Sequence, residues 1–160
     1  MDKFQYEMKS PVGPIFLVAS DHGLEGVFLQ KQAAKLLKKL NPSKPIEKNL
    51  AYVSRQLNEY FSGKRKQFDI AFQFSGTPFQ NRVWKELSKI PFGKTVSYQT
   101  IARRIKNPKA VRAVGSANKR NPYCIVVPCH RVINANGLMG GYAGGLPMKQ
   151  ELLELEQKHN

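Results

Sequence analysis

The sequence predicts an α+β protein in two parts: a small three-stranded antiparallel sheet with helices over residues 1–75, then a mostly helical part over 76–160 that carries a helix-turn-helix. Three observations lead there. Short alternating apolar runs separated by tight turns fill the first 30 residues. Helix-start signatures recur after residue 76. Ser75-Gly76 separates the two patterns.

Phe4, Tyr6 and Met8 alternate as in a half-buried strand, and Pro11, Gly13 and Pro14 mark the turn that follows. Ile15 to Ala19 and Leu24 to Leu29 read as two further strands around Asp21-His22-Gly23, and links this short favour an antiparallel meander. Ala33, Leu36, Leu37 and Leu40 fall at helical spacing, and Pro42 and Pro45 end that helix. Leu50, Val53, Leu57, Tyr60 and Phe61 form a second apolar stripe that stops near Gly63. Phe68, Ile70, Phe72 and Phe74 alternate as a strand or an extended linker. No catalytic constellation stands out in this half, which reads as a supporting domain.

Thr77-Pro78-Phe79-Gln80 opens the second half as an N-cap, a first-turn proline and the glutamine of a capping box. Phe79, Val83 and Leu87 share one face, with Trp84 beside them as a core residue. A second helix is expected from Tyr98 to about Ile105, after Ser97. Asn107-Pro108 then reads as cap and first residue of a third helix, ending near Asn118. Two short helices on a tight turn suggest a helix-turn-helix. The third helix sets Lys109, Arg112 and Lys119 among Ala110, Ala113, Gly115, Ser116 and Ala117. Small residues allow close backbone approach, either to DNA or to a neighbouring helix. The cations favour DNA on at least one face.

The charge distribution points the same way. The net charge is +15, from 26 Lys and Arg against 11 Asp and Glu. No acidic residue falls between Glu86 and Glu151, a stretch rich in Lys and Arg. Self-repulsion of this kind is relieved by a polyanion, and phosphate backbones are the usual one. With 41% apolar residues a core can form, and disorder is unexpected. No apolar run is long enough to span a membrane, and the N-terminus lacks the layout of a signal peptide. The two cysteines, Cys124 and Cys129, lie too close to staple a fold and lack zinc-site spacing; His22, His130 and His159 are scattered. The expectation is a soluble, cytoplasmic protein with no disulfide, no metal and no cofactor.

Ile125-Val126-Val127 reads as a short buried strand running into Pro128-Cys129-His130-Arg131-Val132, with Pro128 stopping it. A thiolate is the strongest side-chain nucleophile, a nearby histidine can take its proton, and Arg131 can help hold the charge. Cys129 also reads as a small buried hydrophobe, because sequence neighbours need not touch.

Context resolves this. Pro-Cys-His-Arg-Val over 128–132 resembles the active-site signature of the O6-alkylguanine-DNA alkyltransferases. Residues 92–98 (Phe-Gly-Lys-Thr-Val-Ser-Tyr), 107–115 (Asn-Pro-Lys-Ala-Val-Arg-Ala-Val-Gly), Asn121-Pro122 and Gly144-Gly145-Leu146 are similar to the family's other blocks, in order. The resemblance covers 76–160 closely, and the first half only in its strand–helix layout. It implies an RNase H-like N-terminal domain and a winged-helix-like C-terminal domain. It also implies direct-reversal repair: Cys129 takes the alkyl group from O6-alkylguanine, with O4-alkylthymine a further candidate, and each molecule reacts once. His130 would be the general base acting through a water, Glu156 its orienting carboxylate, and Tyr98 the proton donor toward guanine N3. Arg112 would fill the space of the flipped base, since O6 is out of reach in the stack. Asn121 would fix the Cys129 segment. Lys109, Ala110, Gly115, Ser116 and Tyr98 would contact DNA, and Val132, Tyr142, Ala143 and Gly144 would line the base pocket. Ala143 stands where some family members carry serine, and Cys124 where proline is common, which assigns Cys124 a structural role. With no cysteine in the first 75 residues, no N-terminal zinc is expected. The implied partner is double-stranded DNA carrying the lesion, met by a monomer. A lesion-binding protein without catalysis is the rival, and the presence of Cys129 argues against it.

Overall fold

The computed structural model describes residues 3–29, 41–42 and 48–160. The helix expected around Ala33 to Leu40 lies outside them. The chain divides into two compact units, Met1–Gln73 and Phe74–Asn160.

In the first unit β1 (Lys3–Met8), β2 (Ile15–Ser20) and β3 (Gly23–Leu29) form the expected antiparallel meander. A fourth strand, β4 (Asn41–Pro42), pairs in parallel with β1, so the sheet order is β3-β2-β1-β4. Two residues joined by a long connection leave no periodicity to read. β2, an inner strand, is buried at every position and packs against α1 (Lys48–Phe61). The stripe of α1 is the expected one: Leu50, Val53, Leu57, Tyr60 and Phe61 are all buried.

Residues 64–73 form no helix and join no strand. Gln56, buried on α1, takes the place of a neighbouring strand there. Its Nε2 donates to the Asp69 carbonyl at 2.9 Å and its Oε1 accepts from the Asp69 N–H at 2.9 Å. The Tyr52 hydroxyl donates to the same carbonyl at 2.9 Å. Side chains thus satisfy the backbone that a ladder would otherwise pair, and the alternation over Phe68 to Phe74 belongs to the linker alternative.

The second unit opens on α2 (Pro78–Leu87) with a full capping box: Thr77 Oγ1 accepts from Gln80 N, and Gln80 Oε1 from Thr77 N. Trp84 is buried, and its indole N–H donates to the Ala117 carbonyl at 2.9 Å, tying α2 to the later helix α4 (Val111–Lys119). Between them lie β5 (Val96–Ser97) and α3 (Tyr98–Arg104), the latter capped by Ser97 Oγ.

Two expectations fail here. The third helix starts at Val111, not Pro108, and its cap residue Ala110 makes no side-chain bond. Lys106 adopts φ +61°, and the turn closes by Asn107 N to Ala102 O and Ala110 N to Asn107 O. Asn107-Pro108 therefore belongs to the turn between the helices. Nor do residues 125–127 form a strand. Ile125 sits at φ +73°, a left-handed position that a β-branched residue reaches only at a steric cost. The chain folds back, and Cys124 bridges Val127. Cys129 lies in a one-turn 3₁₀ helix, Cys129–Arg131, which leads into β6 (Val132–Ile133). β6 pairs in parallel with β5, Val96 to Val132 and Ser97 to Ile133, so the segment leaving Cys129 is docked where α3 begins. The last helix, α5 (Leu146–His159), packs against the Cys129 turn.

Candidate active site

Cys129 is a free thiol, 1% exposed. Asn121, itself buried, holds the turn before it: Nδ2 donates to the Val127 carbonyl at 2.8 Å and Oδ1 accepts from Tyr123 N at 3.0 Å. From α4, Asn118 Nδ2 donates to the Cys129 carbonyl at 3.3 Å. The Cys129 thiol lies below the ordinary thiol range. Its hydrogen-bond contact with Cys124 contributes most, burial opposes, and the Asn121 side chain and the Lys149 charge add to the lowering.

His130, Arg131 and Glu156 form one buried cluster. Both carboxylate oxygens of Glu156 are saturated. Oε2 meets His130 Nε2 at 2.5 Å and Arg131 Nη2 at 3.1 Å; Oε1 meets Arg131 Nε at 2.8 Å and the Gly93 N–H at 3.0 Å. Burial alone would raise the Glu156 carboxyl. The bonds and charges of His130 and Arg131 overcome it and hold the group well below the usual carboxylate range. Burial pulls His130 the other way, below its ordinary value, with Glu156 only partly opposing and Arg131 and Lys149 adding. Near neutral pH the ring is uncharged beside an ionised carboxylate. Nε2 must then carry the proton and donate it to Glu156. That leaves Nδ1 as a lone-pair acceptor with no protein partner among the described residues. Arg131 serves this cluster: its guanidinium is spent on Glu156, on the Ile90 carbonyl at 2.7 Å and on the Phe92 ring. The charge that favours a Cys129 thiolate comes from Lys149 instead.

Lys149 was not singled out from sequence. It is fully buried. Its ammonium donates to the Val132 carbonyl at 2.5 Å, to the Met139 carbonyl and to the Gly141 carbonyl at 3.2 Å, and lies 5.7 Å from the Tyr98 ring centroid. Burial draws it down to about 8, against the pull of the Cys129 charge. One cation thus clamps β6 and the glycine-rich loop together over Tyr98. The signal that would have found it is periodicity. Lys149, Leu152 and Glu156 fall at i, i+3 and i+7, and all three are the buried residues of α5. Charged residues at core positions need partners.

Tyr98, at the start of α3, donates its hydroxyl to the Gly141 carbonyl at 3.3 Å. Burial, then the Cys129 charge, raise its phenol above the ordinary value, so it keeps its proton. The loop must pass close: Gly140 has φ +69°, and a Cβ there would stand 2.9 Å from the Tyr98 ring. Val132 and Tyr142 are buried, while Ala143 and Gly144 are half-buried on the same loop.

Cys129, His130, Glu156, Tyr98 and Asn121 thus converge. Apart from Tyr98, the residues expected at DNA lie on the turn before α4 and on α4 itself. Lys109, Arg112 and Ser116 are exposed, Ala110 is half-buried, and Gly115 is half-buried beneath Tyr98, whose ring would lie 4.0 Å from a Cβ at that position. Val114, Ala117 and Asn118 face inward. Among the described residues no three His, Cys, Asp or Glu side chains cluster as a metal site, and no helix is long and apolar enough to cross a membrane.

Fold and site define a helix-turn-helix protein built around a buried cysteine and a buried histidine bonded to a carboxylate. Known proteins share the fold. The 6-O-methylguanine DNA methyltransferase DNA-binding domain matches residues 78–158, and the ribonuclease-like domain of the same name matches 6–74. A methylated-DNA–protein-cysteine methyltransferase of Methanosarcina mazei is 48% identical, over 98% of each chain. The crystal structure of the Mycobacterium tuberculosis O6-methylguanine methyltransferase superposes with a TM-score of 0.89 at 40% identity, covering 99% of this chain and 94% of that one. A structure of the mycobacterial protein in complex with DNA gives 0.88 at 40% identity, with the same coverage. The chain belongs to the 6-O-methylguanine DNA methyltransferase family, and both of the family's domains are present.

Proposed function

We propose that this protein is a methylated-DNA–protein-cysteine methyltransferase that moves the alkyl group of O6-alkylguanine in duplex DNA onto Cys129, once per molecule. The observation that carries the reading is the acidified thiol of Cys129 beside a neutral His130 whose Nε2 is committed to Glu156. His130 Nδ1 takes the thiol proton through a water. The thiolate attacks the alkyl carbon in line; the Sγ–C bond forms as the O6–C bond breaks. Tyr98, kept protonated by its surroundings, donates toward guanine N3 and makes the base a better leaving group. The product is a thioether, which no group in the site hydrolyses, so the protein is consumed.

The target carbon is not reachable in a stacked duplex, so the nucleotide must be extruded. Arg112, on the exposed face of α4, fills the vacated space; Lys109, Ala110, Gly115 and Ser116 lie along the DNA. Val132, Tyr142, Ala143 and Gly144 form the base pocket, braced by the Lys149 clamp on the Val132 and Gly141 carbonyls. No cofactor is required, because the alkyl donor is the DNA itself. The protein acts as a monomer, and its free thiols suit the cytoplasm.

Intact-protein mass spectrometry after incubation with excess DNA containing O6-methylguanine tests this. One added methyl group, mapped to Cys129 and saturating at one per molecule, is expected. An unchanged mass with DNA binding retained overturns it in favour of a lesion-binding protein.

A further inference from the structure

A cationic groove runs between α2 and the end of α3. It holds about 290 Å³ and is lined by Arg82, Lys85 and Lys89 from α2 and its closing turn, and by Arg104 and Lys106 from α3 and the turn beyond. Among the described residues its lining holds one carboxylate, Glu86, which pairs with Lys89 at 2.9 Å. Lys85, Arg104 and Lys106 are exposed and have no acidic partner among the described residues.

The carbonyl ends of helices attract cations, which accounts for Lys85 and Arg104 in the last turns of α2 and α3. It does not account for Lys106. That residue lies beyond α3 at φ +61°, a left-handed backbone that glycine adopts more readily. The bonds from Lys106 N to Arg103 O and from Asn107 N to Ala102 O, both 2.9 Å, fold it back onto the end of α3. Ile105, buried, anchors the same turn. Three residues after Lys106, Lys109 is exposed on the stretch expected at DNA. The cations of the groove thus continue in sequence to those of the helix-turn-helix, with no acid between.

The lining selects among occupants. A single small anion is held by a few convergent groups in a concave site. Here the cations are exposed, and Arg82 to Lys89 alone spans about 10 Å at the helical rise of 1.5 Å per residue. A protein partner would need apolar anchors at the centre of its contact. The exposed large apolar residues among those described are Tyr52, Val111, Leu138 and Leu146, and none lines the groove. A row of charge without apolar anchors suits phosphates along a nucleic-acid backbone. We propose that the groove is a second phosphate-binding track, holding the backbone of the duplex beyond the helix-turn-helix contact. It adds affinity and fixes orientation without reading sequence.

This inference rests on duplex DNA being the substrate, and the experiment separates the two. Binding of an undamaged duplex is followed by fluorescence anisotropy against salt concentration, so no methyl transfer intervenes. Wild type is compared with Lys85→Gln/Arg104→Gln/Lys106→Gln, with Lys106→Gly alone, and with Lys3→Gln/Lys9→Gln/Lys64→Gln, which removes as many exposed cations from the first unit. Each lost phosphate contact flattens the plot of log K against log salt by about 0.9. The triple groove variant should flatten it by about 2–3 and Lys106→Gly by about 1, while the first-unit variant keeps the wild-type slope. Lys106→Gly should also melt at or above the wild-type temperature, because glycine suits φ +61°, so its weaker binding cannot come from misfolding. A wild-type slope in the triple groove variant overturns the track and leaves the groove to an acidic protein. Equal flattening in the groove and first-unit variants overturns it too, reducing the groove cations to net charge. No binding by wild type, to this duplex or to one carrying O6-methylguanine, removes the DNA reading itself.

Discussion

Among the described residues, the first unit buries Ser20, Ser54 and Gln56 as its polar side chains, whereas the second buries Asn118, Asn121, His130, Arg131, Lys149 and Glu156. Two units of similar length thus meet opposite demands. In the first, these side chains are few and uncharged, and Gln56 bonds the Asp69 backbone. In the second, an ion pair, a neutral histidine and a lysine share one core. Buried charges cost desolvation and seldom improve stability. Their concentration around Cys129 marks where the fold has given up stability for chemistry.

The sharpest break in that comparison is Cys129→Ala. It removes the reacting atom and almost no volume, so transfer should fall to zero while DNA binding, read by gel shift, stays within about twofold. Loss of binding as well would make Cys129 a packing residue.

Glu156→Gln should come next. It leaves Arg131 and the His130 N–H without a carboxylate in a dry core, which costs about 3–5 kcal/mol of stability and slows transfer by about 10²–10⁴ as the base loses its orientation. Thermal melts and single-turnover rates read the two losses separately. The wild type carries a pH signature of the same group. Glu156 has a folded pKa below its unfolded value, so its stabilisation is complete above the ordinary carboxylate range and is lost as pH falls through and below that range. The acid limb of the melting profile should flatten in Glu156→Gln. A limb unchanged from wild type would assign acid sensitivity to other carboxylates.

Lys149→Met separates the clamp from its charge. It keeps the length of the side chain and removes the ammonium's bonds to the Val132, Met139 and Gly141 carbonyls, of which Gly141 keeps the Tyr98 hydroxyl. A loss of about 2–4 kcal/mol is expected, at roughly 1 kcal/mol for each bond, together with slower transfer and a higher Cys129 titration midpoint. A midpoint equal to wild type would confine Lys149 to bracing the loop.

These residues also show what could be read in advance. Local chemistry was legible. The Thr77 capping box, the helix start at Tyr98 and the α1 stripe each depend on residues within one or two turns, and each formed as expected. The sheet meander was legible for the same reason, and β4 was not, because a two-residue parallel strand depends on a distant partner. Where left-handed backbone falls on residues that seldom adopt it, the reading failed. Lys106 moved the helix start to Val111, and Ile125 turned a β-branched run into a fold-back. The convergence of Cys129, His130, Glu156, Tyr98 and Asn121 came from resemblance to a family. Lys149 was missed because a lysine in a basic stretch looks solvated until its place on the apolar face of α5 is counted.

Arg112→Ala is expected to weaken action on DNA and to spare the chemistry. Exposed on α4, Arg112 makes no bond to the Cys129 cluster among the described contacts. Repair of O6-methylguanine in duplex should fall by about 10–100-fold, the scale of a lost wedge or phosphate contact of about 1–3 kcal/mol. Transfer from free O6-benzylguanine should stay at the wild-type rate. Equal losses on both substrates would move Arg112 from the DNA face into the active site.

The smallest effect on repair is expected from the first unit. Gln56→Ala removes both bonds to Asp69 and leaves a backbone N–H and carbonyl to find water, for about 1–2 kcal/mol of stability. Among the described contacts, the bonds of Gln56 go to the Asp69 backbone. Single-turnover transfer below the melting transition should therefore match wild type while the melt shifts down. A slower reaction at full folding would show that the first unit, uncharged core and all, is coupled to the chemistry of the second, and the contrast drawn above would then describe composition without describing function.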